Sequence, residues 1–160
     1  MIDQSRIAAA VALTAMFSVT AAAERPGTPP ILERANGAER VVVGTVVSVT
    51  PRFDTNEYGD RLIVSQTVVR VDETLKGAPA QTLTVDVEGG TIGGLTLKVS
   101  DVRAVGVGDR TVFFVKTNRR GQLVPSLRGH GILHLNSRDE DDDEQVTLAD
   151  VRAKVRGGAR

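Results

Sequence analysis

The fold is decided by the stretch RVVVGTVVSVT at residues 40–50, with the polar segment DTNEYGDR at residues 54–61 and the strand end VDETLKG at residues 71–77. The valines of the first stretch alternate as in a β-strand, and Gly44 interrupts them. Because glycine offers no side chain to pack, it indicates a bulge or a sharp bend at that point. Two long strands joined by a polar loop, with a bend in the first, are typical of the opening of a small coiled barrel.

The alternation also assigns faces to the two long strands. In the second strand the apolar phase changes partway along, which predicts a bulge near residues 65–67. In the first strand we expect one face to be core, and its residues are Val41, Val43, Thr45, Val47 and Val49.

The chain continues in short strands and ends in a helix. Alternating apolar residues and glycine-containing turns after residue 77 bring the total to six or seven strands, which indicates a closed β architecture. A short helical segment is expected at ILERAN, residues 31–36. Near the C-terminus, Leu148, Val151 and Val155 lie at helical spacing.

The sequence predicts five segments. Residues 1–23 form an export signal, because MIDQSR leads into an unbroken run of small and apolar residues, and we place cleavage between Ala23 and Glu24. A retained membrane anchor is the alternative, but an alanine-rich run of 17 residues is short for about 30 Å of hydrocarbon. The other segments are an N-terminal segment with a short helix (24–37), a barrel domain (38–136), an acidic mobile linker (137–146) and a C-terminal helix (147–157).

Composition narrows the classes of function. The chain has no cysteine, which excludes disulfides, thiolate catalysis and thiolate zinc sites. Its 20 basic and 20 acidic residues balance, so its net charge does not suggest a polyanion as the main partner. Binding of single-stranded nucleic acid needs stacking aromatic residues, which make up only 3% of the chain. We therefore expect no nucleic-acid partner.

At the loop and the second strand, the chain resembles the netrin-module superfamily, which includes the tissue inhibitors of metalloproteases. The shared pattern is Tyr58-Gly59 in the loop, then a long strand, then Lys76-Gly77. The chain also looks like exported bacterial proteins of unknown function that carry such a domain. The resemblance covers about residues 38–77. It implies an OB-fold-like closed β-barrel. Together with the strand and helix patterns, the sequence thus predicts a mainly β chain whose barrel has five to seven strands, with a short N-terminal helix and a C-terminal helix.

The resemblance also suggests a contact surface. The inhibitors chelate the protease zinc through an N-terminal cysteine, and because this chain has no cysteine that mechanism cannot be carried over. What the resemblance implies is a projecting loop, Arg52 to Arg61, that contacts a protein partner, in its sharpest form a secreted metalloprotease. The residues expected to contact the partner are Arg52, Phe53, Glu57, Tyr58 and Arg61.

Metal binding is the alternative chemistry. His130 and His134 would lie on one face of a continuous strand, but roughly 13 Å apart, which is too far for one metal unless the chain bends. The pattern Asp54-x-Asn56-x-Tyr58 begins like a calcium loop and lacks the later ligands. The acidic run DEDDDE, residues 139–144, either binds calcium loosely or is a solvated segment. We expect no metal and no cofactor.

The sequence contains no nucleophile elbow, zinc-protease helix motif or phosphate-binding loop. We therefore expect an exported, non-catalytic binding module, periplasmic or secreted, with a protein partner and no transmembrane anchor after signal cleavage. Two alternatives remain open. One is a small metal-binding protein or metal-dependent enzyme that uses His130 and His134, and the other is a structural envelope protein.

Overall fold

The computed structural model describes residues 27–56 and 58–158. The predicted export signal and the cleavage point between Ala23 and Glu24 lie outside these ranges. No helix within them is long and apolar enough to cross a membrane. The elements in chain order are α1 (Ile31–Gly37), β1 (Arg40–Thr55), β2 (Arg61–Lys76), β3 (Thr82–Glu88), β4 (Gly90–Ile92), β5 (Leu95–Leu97), β6 (Arg110–Thr117), β7 (Leu123–Pro125), a 3-10 helix (Arg128–Gly131), β8 (Ile132–Leu135), β9 (Glu140–Asp141), β10 (Val146–Thr147) and α2 (Leu148–Gly157).

The main sheet is built on the long hairpin of β1 and β2. Its strand order is β3-β2-β1-β6-β7, and β8 also pairs with β6, so that β7 and β8 occupy the same side of that strand. All of these pairings are antiparallel. Two small two-stranded sheets, β4 with β5 and β9 with β10, lie outside this path.

Both faces of the main sheet are buried near its centre. One face of β1, β6 and β8 packs against α1 and α2, and the core between them contains Phe114 of β6, Leu133 of β8 and Leu148 of α2. The opposite face gathers residues of β1, β2, β3, β6 and β8 into a second core around Phe113 and Val69. Because the helices cover one face and the sheet curls over the other, the start of β1 is apolar on both sides.

Bulges explain where β1 departs from simple alternation. Val43 pairs with Glu73 and Gly44 with Val71, so the intervening residue of β2 has no partner. A Cβ atom on Gly44 would overlap the carbonyl oxygen of Arg70 and lie 2.6 Å from Val69 Cγ1. Only glycine fits this close approach, as the interruption of the valine run predicted.

The predicted core face of β1 is therefore only partly correct. Val41 and Val43 are fully buried, but Thr45 is half-buried and Val47 is 44% exposed. The reason is a further register shift. Val46 pairs with Val69 of β2 and Ser48 pairs with the adjacent Val68, so that Val47 is left without a partner. The residues of the opposite face that are fully buried are Val42 and Val46.

The bulge predicted near residues 65–67 is absent from the described structure. Residues 61–68 of β2 pair in regular register with β1, and residues 64–70 pair in regular register with β3. The irregularity that the apolar pattern suggested lies instead on β1, at Val47.

The described strands do not close into a barrel through hydrogen bonds. The edge strands β3 and β7 do come close, with Cα atoms within 8 Å of each other, but no ladder joins them. The fold is thus mainly β with two short helices, and its sheet curls until the two edges nearly meet. The closed barrel that the sequence predicted is not established.

The acidic run belongs to the folded part of the chain. Residues 137–146, expected to be a mobile linker, contain β9 and the start of β10, and Asp141 is fully buried. Helix α2 then begins with a capping box, in which Thr147 and Asp150 each bind the other's backbone N–H. The predicted C-terminal helix is present, and its buried residues are Leu148, Val151 and Val155.

Candidate functional site

A cleft with a volume of about 230 Å³ lies where the edges of β3 and β7 approach each other. The end of β3 supplies Asp86 to Glu88, and β7 supplies Val124 and Pro125. Thr55 at the end of β1, and Asn56 and Tyr58 from the turn between β1 and β2, also line it. The part of the loop that the sequence singled out therefore borders a concave site.

The cleft combines an apolar lining with charged margins. Clefts that bind ligands generally combine apolar walls with a few placed polar groups. Its apolar residues come from four separate stretches of the chain, and they are Val64, Val87, Val102, Val124, Pro125 and Leu127.

An ion-pair network holds the side of the cleft formed by β1. The guanidinium of Arg52 donates to Asp54 at 2.9 Å and to Asp86 at 2.7 Å. Arg120 donates to Asp54 at 3.0 Å and also contacts the carbonyl oxygen of Thr55. The network therefore joins β1 both to β3 and to the turn between β6 and β7.

The surroundings of Asp54 favour its ionised form. The pKa of its carboxyl group is lowered from 3.8 to about 2, mainly because the backbone N–H of Thr55 donates to it. The guanidinium groups of Arg120 and Arg52 lower the pKa further, against the opposing effect of burial. The pKa of Arg52 is raised, chiefly by its hydrogen bond to Asp86.

The other end of the cleft is held by Arg128. Its guanidinium lies 3.0 Å from Glu88 on β3 and 3.7 Å from Asp101. Leu127 and Arg128 have φ angles of 55° and 52°, a left-handed conformation that costs non-glycine residues about 1–2 kcal/mol each. A Cβ on Gly129 would overlap the carbonyl of Asp101, so close backbone packing fixes this strained segment.

Lys116 differs from the other charged residues of the cleft. It lines the cleft from the end of β6, where it pairs with Val124 of β7. Asp54, Asp86, Glu88 and Arg128 all have partners of opposite charge. Among the described residues, no acceptor lies within hydrogen-bond or ion-pair distance of the Lys116 ammonium group.

The residues predicted to contact a partner separate into two groups. Tyr58 lines the cleft with 79% of its surface exposed, and Arg52 takes part in the network behind it. Phe53 does not line the cleft, and Arg61 lies over its ring at 5.4 Å from the centroid, in a cation–π contact. Glu57 lies outside the described residues.

The loop itself is held by Asn56. The side-chain oxygen of Asn56 accepts hydrogen bonds from the backbone N–H groups of Tyr58, at 3.0 Å, and Asp60, at 2.9 Å. Because Asn56 is engaged by backbone and Asp54 by arginines, the oxygens of the incomplete calcium pattern already have protein partners. The geometry gives no support to a calcium loop here.

The two histidines do not share a strand. His130 lies in the 3-10 helix and His134 in β8, where it pairs with Thr111. Burial lowers the pKa of His134, and the positive charge of Arg103 lowers it further. Its Nδ1 lies 3.8 Å from Asp109, and its buried Nε2 has no partner in the described structure.

No group of three or more potential metal ligands occurs within residues 27–56 and 58–158. In the acidic run, Asp139 pairs with Arg110, Asp141 and Asp143 pair with Arg103, and Glu144 pairs with the buried Arg34. These carboxylates form ion pairs with arginines from other parts of the fold, so their charge has a structural role.

The sequence predicted the side of the cleft formed by the loop between β1 and β2, but not the opposite side. The side formed by residues 116–128 contains Lys116, Gln122 and Arg128, and none of them carries a recognisable motif. The only local signal is the polar turn NRRGQ, residues 118–122, which reads as an ordinary surface turn. Their proximity to the Tyr58 loop arises from the curl of the sheet.

Comparison with known proteins does not extend the assignment. No family model matches the sequence, and no curated protein matches it significantly. The resemblance to the netrin-module superfamily therefore stays a prediction that depends on the short motifs of residues 38–77.

Proposed function

We propose that this protein is an exported, non-catalytic module that binds a protein partner through the cleft between β3 and β7. The observation that carries the proposal is the position of Tyr58, which stands 79% exposed at the margin of an apolar-lined cleft. Tyrosine contributes a large contact area at low entropic cost and is enriched at sites that dominate binding energy. The loop around it is held in place by Asn56, which limits the ordering cost of binding.

The electrostatics of the cleft favour recognition over catalysis. A general base works best with a pKa near the working pH, whereas the pKa of Asp54 is about 2. Asp54 and Asp86 share the guanidinium of Arg52, so their charges are compensated within the protein. Groups fixed in this way are suited to shaping a binding surface.

We further propose that the fold is an OB-like barrel of the netrin-module type, open at one seam. The strand order and the approach of β3 to β7 support this, because pairing of these two edges would complete a closed sheet. OB-folds are known as partly open barrels. In the sharpest form of the proposal, the partner is a secreted metalloprotease, bound without the cysteine chelation that this chain lacks.

A capture experiment tests the proposed function. The chain from Glu24 onward is immobilised and exposed to periplasmic extract and culture medium of its source, alongside Tyr58→Ala and Val107→Ala variants. Val107 is 68% exposed and does not line the cleft, so it serves as the matched control. We expect the unsubstituted protein and the Val107→Ala variant to capture a partner with metalloprotease activity, and the Tyr58→Ala variant not to capture it. Failure to recover any partner, or equal recovery by all three proteins, would count against the proposal.

A further inference from the structure

The cleft contains one unmatched charge, and this points to the chemistry of what binds there. Its three carboxylates are each paired with an arginine, at distances of 2.7–3.0 Å. Lys116 lines the same cleft without a partner among the described residues. A cation beside an apolar wall is complementary to a group that is itself apolar and carries a carboxylate nearby.

The dimensions of the cleft limit the occupant. Adjacent strands in a sheet are about 4.8 Å apart, so a strand inserted between β3 and β7 would need their backbones about 9.6 Å apart. Cα atoms of these strands lie within 8 Å of each other, which leaves no room for an added strand. The volume of about 230 Å³ exceeds that of engineered cavities of about 150 Å³ that accept benzene. A single large side chain therefore fits where a backbone does not.

We propose that the cleft receives an aromatic side chain from an extended segment of the partner, and that a carboxylate two residues away, on the same face of that segment, pairs with Lys116. This inference rests on the proposed function and names the chemistry of the partner that the same site would recognise. The apolar contacts come from Val64, Val124 and Leu127 in the wall, and Tyr58 borders the opening. The ion pair with Lys116 supplies orientation.

The strained segment beside the cleft supports a preformed site. Leu127 lines the cleft with 40% of its surface exposed, in a left-handed conformation that leucine seldom adopts. The conformation is maintained by the ion pair of Arg128 with Glu88 and by the packing of Gly129 on Asp101. Strain held in place by surrounding contacts is characteristic of binding sites, where it positions groups in advance.

Matched peptides test the inference directly. The isotope-labelled chain from Glu24 onward is titrated with acetyl-Phe-Ala-Asp-amide, acetyl-Phe-Ala-Asn-amide and acetyl-Ala-Ala-Asp-amide, and backbone amide shifts are followed by NMR. We expect saturable shifts at Val124 and Leu127 with the two phenylalanine peptides only. The aspartate peptide should bind about threefold to fivefold more tightly than the asparagine peptide, as expected for one partly exposed ion pair.

Lys116→Met and Lys98→Met provide the matched variants. Lys98 is exposed and does not line the cleft, so its variant should keep the preference for aspartate, while Lys116→Met should abolish it and leave phenylalanine binding intact. Methionine keeps most of the lysine stem, and an unchanged thermal midpoint verifies folding. If that midpoint falls, Lys116→Gln replaces the variant in the same titration.

The outcomes separate this inference from the proposed function. Absence of shifts at the cleft, or an equal preference for aspartate in parent and Lys116→Met, overturns the inference. If a partner is captured and Lys116→Met binds it as tightly as the unsubstituted protein does, the inference is overturned while the proposed function stands. If the phenylalanine peptides bind as expected but no partner is captured, the chemistry of the cleft is supported and the proposed function fails.

Discussion

Replacing Asp141 with alanine should destabilise the fold far more than replacing its neighbour Asp142. Asp141 is fully buried, and its carboxylate accepts hydrogen bonds from the backbone N–H groups of His134, at 2.8 Å, Asp143, at 3.0 Å, and Glu144, at 3.1 Å. The guanidinium of Arg103 lies 3.2 Å from the same group. One side chain thus joins β8 to the turn that follows β9.

The magnitude follows from the donors that the substitution leaves without an acceptor. An unsatisfied buried donor costs about 1–3 kcal/mol, and since water can reach part of this turn we take about 1 kcal/mol for each of the three N–H groups. The sum is about 3 kcal/mol, and the lost pair with Arg103 adds little, because the Arg103 side chain is about half exposed and water solvates it once the carboxylate is removed. This sum is a large part of a total stability of about 5–15 kcal/mol.

Urea denaturation followed by far-ultraviolet circular dichroism measures the effect. With a slope of about 2 kcal/mol per molar urea, Asp141→Ala should lower the midpoint by about 1.5 M. Asp141→Asn keeps one acceptor oxygen and should fall between the alanine variant and the parent. Asp142 is exposed, and within the described ranges its carboxylate accepts a hydrogen bond from the side chain of Asn136 alone, so Asp142→Ala should change stability by less than about 0.5 kcal/mol. Equal midpoints for the two alanine variants would refute the reasoning and favour a mobile acidic linker.

Three further predictions test other parts of the structure. Gly44→Ala should lower the free energy of unfolding by about 1–3 kcal/mol, because the added Cβ would overlap the carbonyl of Arg70. Gly37 has open space around it, so Gly37→Ala should be neutral or stabilising. Similar effects of the two substitutions would contradict the bulge at Gly44. Thr147→Ala removes the capping box of α2 and should cost about 1 kcal/mol, while Thr147→Ser should keep most of it. For Asp54, the folded-state pKa of about 2 lies below the usual 3.8, so its contribution to stability is present above about pH 4 and is lost as pH falls to about 2. Asp54→Asn should reduce the loss of stability in that window, and an unchanged acid limb would contradict the role of the network.

Periodicity predicted those parts of the fold whose burial is local in origin. Strands β1 and β2 and helix α2 each carry enough regularly spaced apolar residues to identify their type, and Gly44 marked the bend. The faces of β1 were harder to predict, because the exposure of Val47 depends on its register with β2 and the burial of Val42 depends on the curl of the whole sheet. Neither property is encoded in the alternation of one strand.

The acidic run shows a different limit of sequence reasoning. Six consecutive acidic residues usually indicate a solvated segment, since burying a carboxylate is costly unless it is paired. Here the partners are arginines that lie far away in sequence, Arg34 for Glu144 and Arg103 for Asp141. The local sequence reveals the cluster of negative charge but not the distant arginines that pair with it.

The motif that carries the family resemblance can now be separated into structural and functional residues. The ammonium group of Lys76 donates to the carbonyl oxygens of Ala35 and Ala38, both at 2.7 Å, and so attaches the end of β2 to the end of α1. Gly77 has a φ angle of 88°, and a Cβ there would lie 2.8 Å from the carbonyl oxygen of Glu39.

Gly59, with a φ of 93°, likewise serves a turn. Lys76, Gly77 and Gly59 therefore have structural roles, and their presence carries no information about a partner. Tyr58 is different, because its side chain is largely exposed and no side-chain hydrogen bond or ion pair holds it in the described structure. If the resemblance extends to function, it does so through Tyr58 and the cleft beside it, which is why the decisive variants are placed there.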